Sequence, residues 1–213
     1  MRTIRTKIYK FSELSKEAQQ AAIENYRSQN SEIFWADENR ETLEAFEKVF
    51  PVNIKNWSYG GRGEGVYFEM TCDDAIEELK GQRLATYIWN NYRSEIYSKK
   101  FYNGTIRTKP NKYHETNPSA PEFTTWHRYS KIQIEAYNCP LTGYCIDNEI
   151  LDPIYKFLNK PEPHTNFKDL MEECFDSWIK ACNADIEYQN SDETIKETIE
   201  ANDYEFTREG KQF

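Results

Sequence analysis

Residues 52–72 decide the fold, and they read VNIKNWSYGGRGEGVYFEMTC. Two extended runs, 52–59 and 66–72, flank the segment GGRGEG, which has four glycines in six residues. Glycine adopts positive φ angles at little cost, so this pattern predicts a tight or bulged β-hairpin. Asp73 and Asp74 follow the second run and predict a helix start, because carboxylates are favourable beside the unpaired N–H groups of a helix N-terminus.

Helical patterns lie on both sides of this hairpin. Before it, Ser12 or Ser15 can cap a helix that extends to about residue 27, and a second helix is predicted over 31–50, where Pro51 ends it. After it, apolar residues recur with a 3.6-residue period over 76–96 and predict one long helix. Gly81 is expected to weaken that helix only locally.

The C-terminal third of the chain predicts three more helices. The pair Asp152-Pro153 is typical of a helix start and predicts a short helix over 154–158. Thr165 can cap a longer helix whose apolar residues form one buried stripe, and Ser191 opens the last helix.

The remaining patterns predict strands at 3–11, 126–138 and 204–206. Hairpin-like strands mixed with runs of helix favour an α+β fold, with a mostly antiparallel sheet that the hairpin shares with these three strands. Residues 99–125 are rich in turn residues and have little periodicity, so they predict a long irregular loop. We expect a single domain over 1–213.

Composition excludes several classes of protein. The chain has 213 residues, a net charge of −9 and 15% aromatic residues, and disordered acidic chains are poor in aromatics. A mean hydropathy of −0.91 and the lack of a long apolar run exclude a membrane span. No pattern of a signal peptide is visible, and five cysteines at irregular spacing are typical of reduced thiols. These features favour a soluble, acidic, globular, intracellular protein.

The motifs of common catalytic and cofactor sites do not match. The glycine segment has the wrong spacing for a dinucleotide fingerprint, and a strand follows it where a helix would be needed. The cysteines lack the Cys-x₂₋₄-Cys spacing of zinc sites. Cys139 or Cys145 beside His127 could form a nucleophilic pair, but five cysteines and three histidines offer such a pair by chance. We therefore predict no catalytic residue, metal or cofactor, while an enzyme with an unrecognised site stays an alternative.

Positive charge is concentrated in one part of the chain. Residues 99–135 contain seven Lys or Arg and three Glu, interleaved with aromatic residues. Cations bind phosphates and aromatic rings stack on bases, so this segment could bind nucleic acid. The residues that would do so are Lys99, Lys100, Arg107, Lys109, Lys112, Trp126 and Arg128. Alternatively, the segment is a solvated loop or a contact for a protein, since a dedicated nucleic-acid binder is usually basic overall.

Negative charge is concentrated in the C-terminal third. Residues 140–206 contain sixteen acidic and five basic side chains. Such carboxylates could be the ordinary solvated faces of amphipathic helices. They could also imitate a phosphate backbone or pair with a basic cleft on another protein.

Both ends of the chain resemble a family of phage and prophage proteins. The opening IYKFSELS (8–15), followed by a helix that ends in Tyr26-Arg27, is similar to the family motif Tyr-x-Phe-x-Glu-Leu-Ser. The hairpin at 57–69 and the ending IEANDYEFTREGK (199–211) also resemble family segments. The hairpin here has GGRGEG where relatives often have a Gln-Gly-Asp-Gly-like core. Members are often labelled as antitoxins. The resemblance implies a bacterial cytoplasm and a phage or prophage origin, and it supplies no catalytic residues.

Together these observations predict a non-enzymatic binding protein that neutralises a bacterial host factor, such as a defence nuclease, a CRISPR effector or a toxin. The expected partner is a protein, with nucleic acid as the second possibility and no membrane. Inhibitor and antitoxin are not distinguished, and the oligomeric state is open. The predicted contact residues are Arg62 and Glu64 on the hairpin tip, Lys109, Lys112 and Tyr113 on the loop, and Glu172, Glu173 and Asp176 in the acidic third.

Overall fold

The structure is a computed structural model that describes residues 7–30, 35–97 and 139–213. Within these ranges the helices are α1 (Lys16–Gln29), α2 (Ala36–Val49), α3 (Asp74–Glu77), α4 (Gly81–Ile96), α5 (Ile146–Asn159), α6 (Phe167–Gln189) and α7 (Asp192–Ala201). The strands are β1 (Tyr9–Lys10), β2 (Val52–Ser58), β3 (Gly65–Met70) and β4 (Glu205–Phe206). A 3₁₀ turn at Phe11–Glu13 joins β1 to α1. The predicted α+β class is confirmed.

The strands form two separate antiparallel sheets. β2 pairs with β3 as the predicted hairpin, and a bulge interrupts their register between Ile54 and Asn56. β1 pairs with β4, so the two ends of the chain meet. The expectation of one shared sheet is therefore wrong for the described strands, because each sheet packs against a different hydrophobic cluster. The predicted strand at 126–138 and the loop at 99–125 lie outside the described residues.

The larger hydrophobic cluster lies between the hairpin and helices α2, α4, α5 and α6. Aromatic rings connect these elements: Phe175 on α6 packs against Phe46 on α2 and against Phe68 on β3, with ring centroids 5.4 and 4.8 Å apart. One face of the hairpin therefore covers the core, and the opposite face is exposed to solvent. This arrangement fixes the hairpin over α6.

The smaller cluster joins the two ends of the chain. Phe11 beside β1 packs edge-on against Phe206 of β4, with ring centroids 6.1 Å apart. Ala22 of α1 and Ile199 of α7 are buried in the same cluster. The N-terminal and C-terminal motifs of the sequence thus form one structural unit.

The predicted caps agree with the structure at two helices. The Ser15 hydroxyl accepts a hydrogen bond from the Ala18 amide at the start of α1, and the Ser191 hydroxyl accepts one from the Thr194 amide at the start of α7. The longer helix α6 begins after Asn166 instead of Thr165. Asn166 exchanges side-chain and backbone hydrogen bonds with Asp169, which forms a capping box that satisfies two N–H groups.

Two helix predictions are wrong in their boundaries. The helix predicted over 76–96 is broken, because Lys80 is extended and pairs with Asn166, and Gly81 has a φ of +55°. The short helix predicted over 154–158, after the pair Asp152-Pro153, is part of the longer α5, and Pro153 lies in its interior. The apolar face of α5, with Ile150 and Ile154 fully buried, outweighs the hydrogen bond that the proline removes. None of the described helices is both long and apolar enough to cross a membrane.

Candidate partner-binding surface

The predicted contact residues divide into two groups. Lys109, Lys112 and Tyr113 lie outside the described residues, as do all the residues proposed for nucleic-acid binding, namely Lys99, Lys100, Arg107, Lys109, Lys112, Trp126 and Arg128. The other five are exposed residues on the hairpin tip and on α6; they are Arg62, Glu64, Glu172, Glu173 and Asp176. The candidate surface is built from this second group.

The hairpin tip has a defined conformation although it is exposed. Gly60 and Gly63 have φ angles of +78° and +79°, which explains the need for glycine at these two positions. The Ser58 hydroxyl donates to the Gly63 carbonyl over 2.9 Å, and the Gly61 amide donates to Glu64 Oε1 over 2.9 Å. These contacts close the tip on itself.

Asn183 on α6 holds the tip against the helix. Its amide nitrogen donates to Glu64 Oε2 over 2.7 Å, and its Oδ1 accepts from the Gly60 amide over 2.8 Å. Both carboxylate oxygens of Glu64 are therefore occupied within the chain, which makes Glu64 a residue that positions the tip. Arg62 is exposed and takes part in none of the ion pairs found among the described residues.

Two of the predicted acidic residues lie on the same face of α6 as Asn183. At about 100° per residue, Glu172, Asp176 and Asn183 differ in direction by only about 40° around the helix axis. With a rise of about 1.5 Å per residue, Asp176 and Glu172 are about 10 and 16 Å from Asn183 along that axis. We refer to Arg62, Glu64, Asn183, Asp176 and Glu172 as the tip–helix surface.

Glu173 is turned away from this surface, since it is one residue and about 100° beyond Glu172. Partial burial raises the pKa of Glu173, and the nearby negative charges of Glu162, Asp169 and Asp176 raise it further. Glu173 therefore belongs to a group of carboxylates that repel one another beside the tip–helix surface.

The charge of the described residues is strongly negative. They contain 18 Lys or Arg and 32 Asp or Glu side chains, a net charge of −14. Even with one cation for each carboxylate, at least 14 of these carboxylates have no cationic partner among the described residues. Such a surface attracts a basic partner and repels an acidic one.

Aromatic residues support the tip from below. Trp57 and Tyr59 at the end of β2 stack with ring centroids 5.8 Å apart, and both meet the buried Trp178 of α6 edge-on. The Tyr59 hydroxyl accepts a hydrogen bond from the Asn39 side chain over 3.1 Å. Sequence reasoning found the hairpin and missed Asn39 and Asn183, because no local pattern marks an asparagine that bonds across the fold.

An open cleft of about 460 Å³ lies between α2 and β2. Its charged side chains already have partners: Arg40 pairs with Asp37 and Glu44, and Glu47 accepts a hydrogen bond from the Ile54 amide. Lys55 pairs with Glu69 over 3.1 Å. The charged side chains of the cleft are therefore less available to bind a partner than those of the tip–helix surface.

The buried titratable groups of the described residues have structural roles. Asp147 is fully buried and accepts hydrogen bonds from the hydroxyls of Thr42 and Thr142 and from three backbone amides. Burial raises the pKa of the Cys182 thiol to about 12 and raises that of Cys174 as well, which disfavours their nucleophilic thiolate forms. Within the ranges described, His, Cys, Asp and Glu form no group of three or more that could hold a metal ion.

Comparisons with protein-family models, with curated proteins and with solved structures find no match to this chain.

Proposed function

We propose that this chain is a binding protein of phage or mobile-element origin that neutralises a bacterial host protein by direct contact through the tip–helix surface. The host protein would be a defence nuclease, a CRISPR effector or a toxin. Its contact region would carry basic side chains that meet Asp176 and Glu172, and an acidic or polar group that meets Arg62.

The observation that carries this proposal is the way Asn183 fixes an exposed tip. Surface turns are usually mobile, and ordering them on binding costs free energy. Here four hydrogen bonds hold the tip before any partner arrives: two are within the tip, and two join the tip to the Asn183 side chain. The rigid turn presents Arg62, and arginine is enriched among residues that dominate binding energies.

The acidic residues supply the second part of the argument. Glu172 and Asp176 lie in line with Asn183, so a partner that contacts the tip extends over these carboxylates within about 16 Å. Attraction between opposite charges increases the rate of association and excludes acidic competitors. The resemblance to phage and prophage proteins supports the choice of a bacterial host protein as partner.

The test is an affinity pulldown of the tagged chain from bacterial lysate, with and without nuclease treatment, read by mass spectrometry and native mass. The proposal predicts one protein partner in stoichiometric amount that is retained after nuclease treatment. Partners that disappear after nuclease treatment would favour nucleic-acid binding by the 99–135 segment and contradict the proposal. A bait that retains no protein would contradict it as well.

A further inference from the structure

β3 has one edge that no strand covers within the described ranges. Its only partner there is β2, and the pairs Trp57–Val66, Ile54–Phe68 and Val52–Met70 define the register. The amides of Ile54 and Trp57 donate to side chains, and that of Val52 donates to the Phe50 carbonyl, so none of the three faces β3. In the antiparallel ladder, Trp57–Val66, Ile54–Phe68 and Val52–Met70 are therefore the non-hydrogen-bonded pairs.

It follows that Val66, Phe68 and Met70 direct their backbone N–H and C=O groups away from β2. The intervening amides of Tyr67 and Glu69 point towards β2, and the Thr71 amide donates to the Pro51 carbonyl over 2.8 Å. Three N–H donors and three carbonyl acceptors thus line the outer edge of β3 at the spacing of a strand.

The outer edge of β2 is different, because it is closed to strand addition. The Ile54 amide donates a hydrogen bond to the Glu47 side chain, and the Trp57 amide donates one to the Asn56 side chain. The bulge at Lys55 also disturbs the regular spacing of the backbone groups along β2. Bulges and blocked amides are ways in which natural sheets prevent an edge from pairing. Among the described residues, the hairpin is therefore protected on one edge and open on the other.

Carboxylates follow the C-terminal end of the open edge. Asp73 and Asp74 are exposed, three and four residues after the end of β3 at Met70. Burial raises the pKa of the nearby Cys72 thiol, and the negative charges of Glu77, Asp73 and Asp74 raise it further. Steps of three residues along α6 turn the side-chain direction by about 60° each. Trp178 contacts β2 and Phe175 contacts β3. Glu172 is the next step in the same direction, so we expect it to lie beyond β3 on the side of the open edge.

We propose that the open edge of β3 binds an extended segment of the partner protein that carries Lys or Arg, and that this segment adds as a third strand. This inference rests on the proposed function and specifies its mode of contact. Hydrogen bonds to Val66, Phe68 and Met70 supply affinity for any extended backbone, while Asp73, Asp74 and Glu172 select basic side chains.

Amide hydrogen exchange measured by NMR on the full chain tests the open edge first. The amides of Val66, Phe68 and Met70 are expected to exchange at least about tenfold faster than those of Tyr67, Glu69 and Thr71 in the same strand. Equal protection of both sets in the free chain would show that the edge is already covered and would overturn the proposal.

The second measurement adds a soluble eight-residue peptide that alternates Val with Lys, and a matched peptide that alternates Val with Glu. The Lys peptide is expected to bind and to slow exchange at Val66, Phe68 and Met70, and the Glu peptide is expected to leave exchange unchanged. The double substitution Asp73→Asn/Asp74→Asn should weaken binding of the Lys peptide about three- to tenfold. A Lys peptide that fails to bind, or that binds without slowing these three amides, contradicts strand addition.

The two proposals can fail separately. If the pulldown yields a nuclease-resistant partner whose complex leaves exchange at Val66, Phe68 and Met70 unchanged, strand addition is wrong and the proposed function stands. If the pulldown yields no protein partner, the proposed function is wrong, and the peptide measurement still reports on the edge.

Discussion

Gly210 shows how one residue can be required by backbone contact alone. It has a φ of +81°, and a Cβ at this position would lie 2.1 Å from the Ala18 carbonyl oxygen. The clash is with the backbone of α1, which cannot move aside without disturbing the smaller cluster. The glycine in the C-terminal motif of the sequence is therefore structural.

We expect Gly210→Ala to lower the free energy of unfolding by about 3 kcal/mol, because it combines a strained φ with a backbone clash. Gly61→Ala is the control, since Gly61 has no heavy atom within 4 Å of an added Cβ and should change stability by less than about 0.5 kcal/mol. Urea unfolding followed by circular dichroism measures both. Similar midpoints for the two variants would contradict the structural role of Gly210.

Asp147 is the second residue with a large expected effect. Its Oδ2 accepts from the amides of Leu141, Thr142 and Gly143, and its Oδ1 accepts from the hydroxyls of Thr42 and Thr142. Asp147→Ala leaves three amides without an acceptor and should cost about 3 kcal/mol or more. Asp147→Asn should cost less, because its oxygen can face the amides while its NH₂ donates to the hydroxyls. The order wild type, Asn variant, Ala variant in urea midpoints is expected, and an Ala variant as stable as the Asn variant would refute it.

At the scale of elements, α6 organises the molecule. One face buries Trp178 and Phe175 against the hairpin, a second face packs against α5, and the exposed face carries the acidic part of the tip–helix surface. The crowded carboxylates near Glu173 show that this exposed face is not optimised for the stability of the isolated chain.

We expect Glu173→Gln to stabilise the chain at pH 7. The folded-state pKa of Glu173 is raised, so its charged form is disfavoured in the fold, and the neutral amide removes that penalty. As the pH falls towards 4 the native carboxylate takes up a proton, and the advantage of the Gln variant should shrink. Thermal unfolding at both pH values measures this, with Glu197→Gln on α7 as the charge-matched control. A Gln variant that is less stable at pH 7 would be inconsistent with the repulsion described here.

The contact between Asn183 and the tip gives a prediction that separates binding from stability. Asn183→Ala removes two hydrogen bonds at an exposed site, so unfolding should become easier by about 1 kcal/mol only. Partner binding should weaken at least about fivefold, because the tip must then be ordered on binding. Asn202→Ala is the control, since it also removes a side-chain hydrogen bond at an exposed helix end. Equal affinities of the two variants for the partner would exclude a role for the fixed tip.

Local sequence patterns predicted the secondary-structure elements whose formation depends on interactions between residues close together in the chain. The hairpin follows from its glycines and flanking strands, and the caps at Ser15 and Ser191 follow from hydroxyl groups before apolar periods. The break at Gly81 was missed because it depends on pairing between Lys80 and Asn166, which are 86 positions apart in the chain. Pro153 was misinterpreted for a similar reason, since packing of α5 against α6 decides the helix boundary.

At the scale of the whole molecule, the smaller hydrophobic cluster explains why the segments near the two ends of the chain lie together. Phe11 and Phe206 come together from residues near the two termini, and β1 pairs with β4 beside them. The sequence placed both strands but could not show that they form a sheet of their own. Likewise it identified Arg62, Glu64, Glu172 and Asp176 separately, and only the fold brings them to one face.

The most direct test of the central claim compares two charge reversals of equal size in the pulldown after nuclease treatment. Glu172→Lys/Asp176→Lys changes the tip–helix surface, and Glu197→Lys/Glu200→Lys makes the same change of charge at exposed positions on α7. We expect the first variant to retain the partner at least about tenfold less than wild type, and the second to remain within about twofold. Equal retention by the two variants, whether high or low, would contradict the assignment of the tip–helix surface as the partner-binding site.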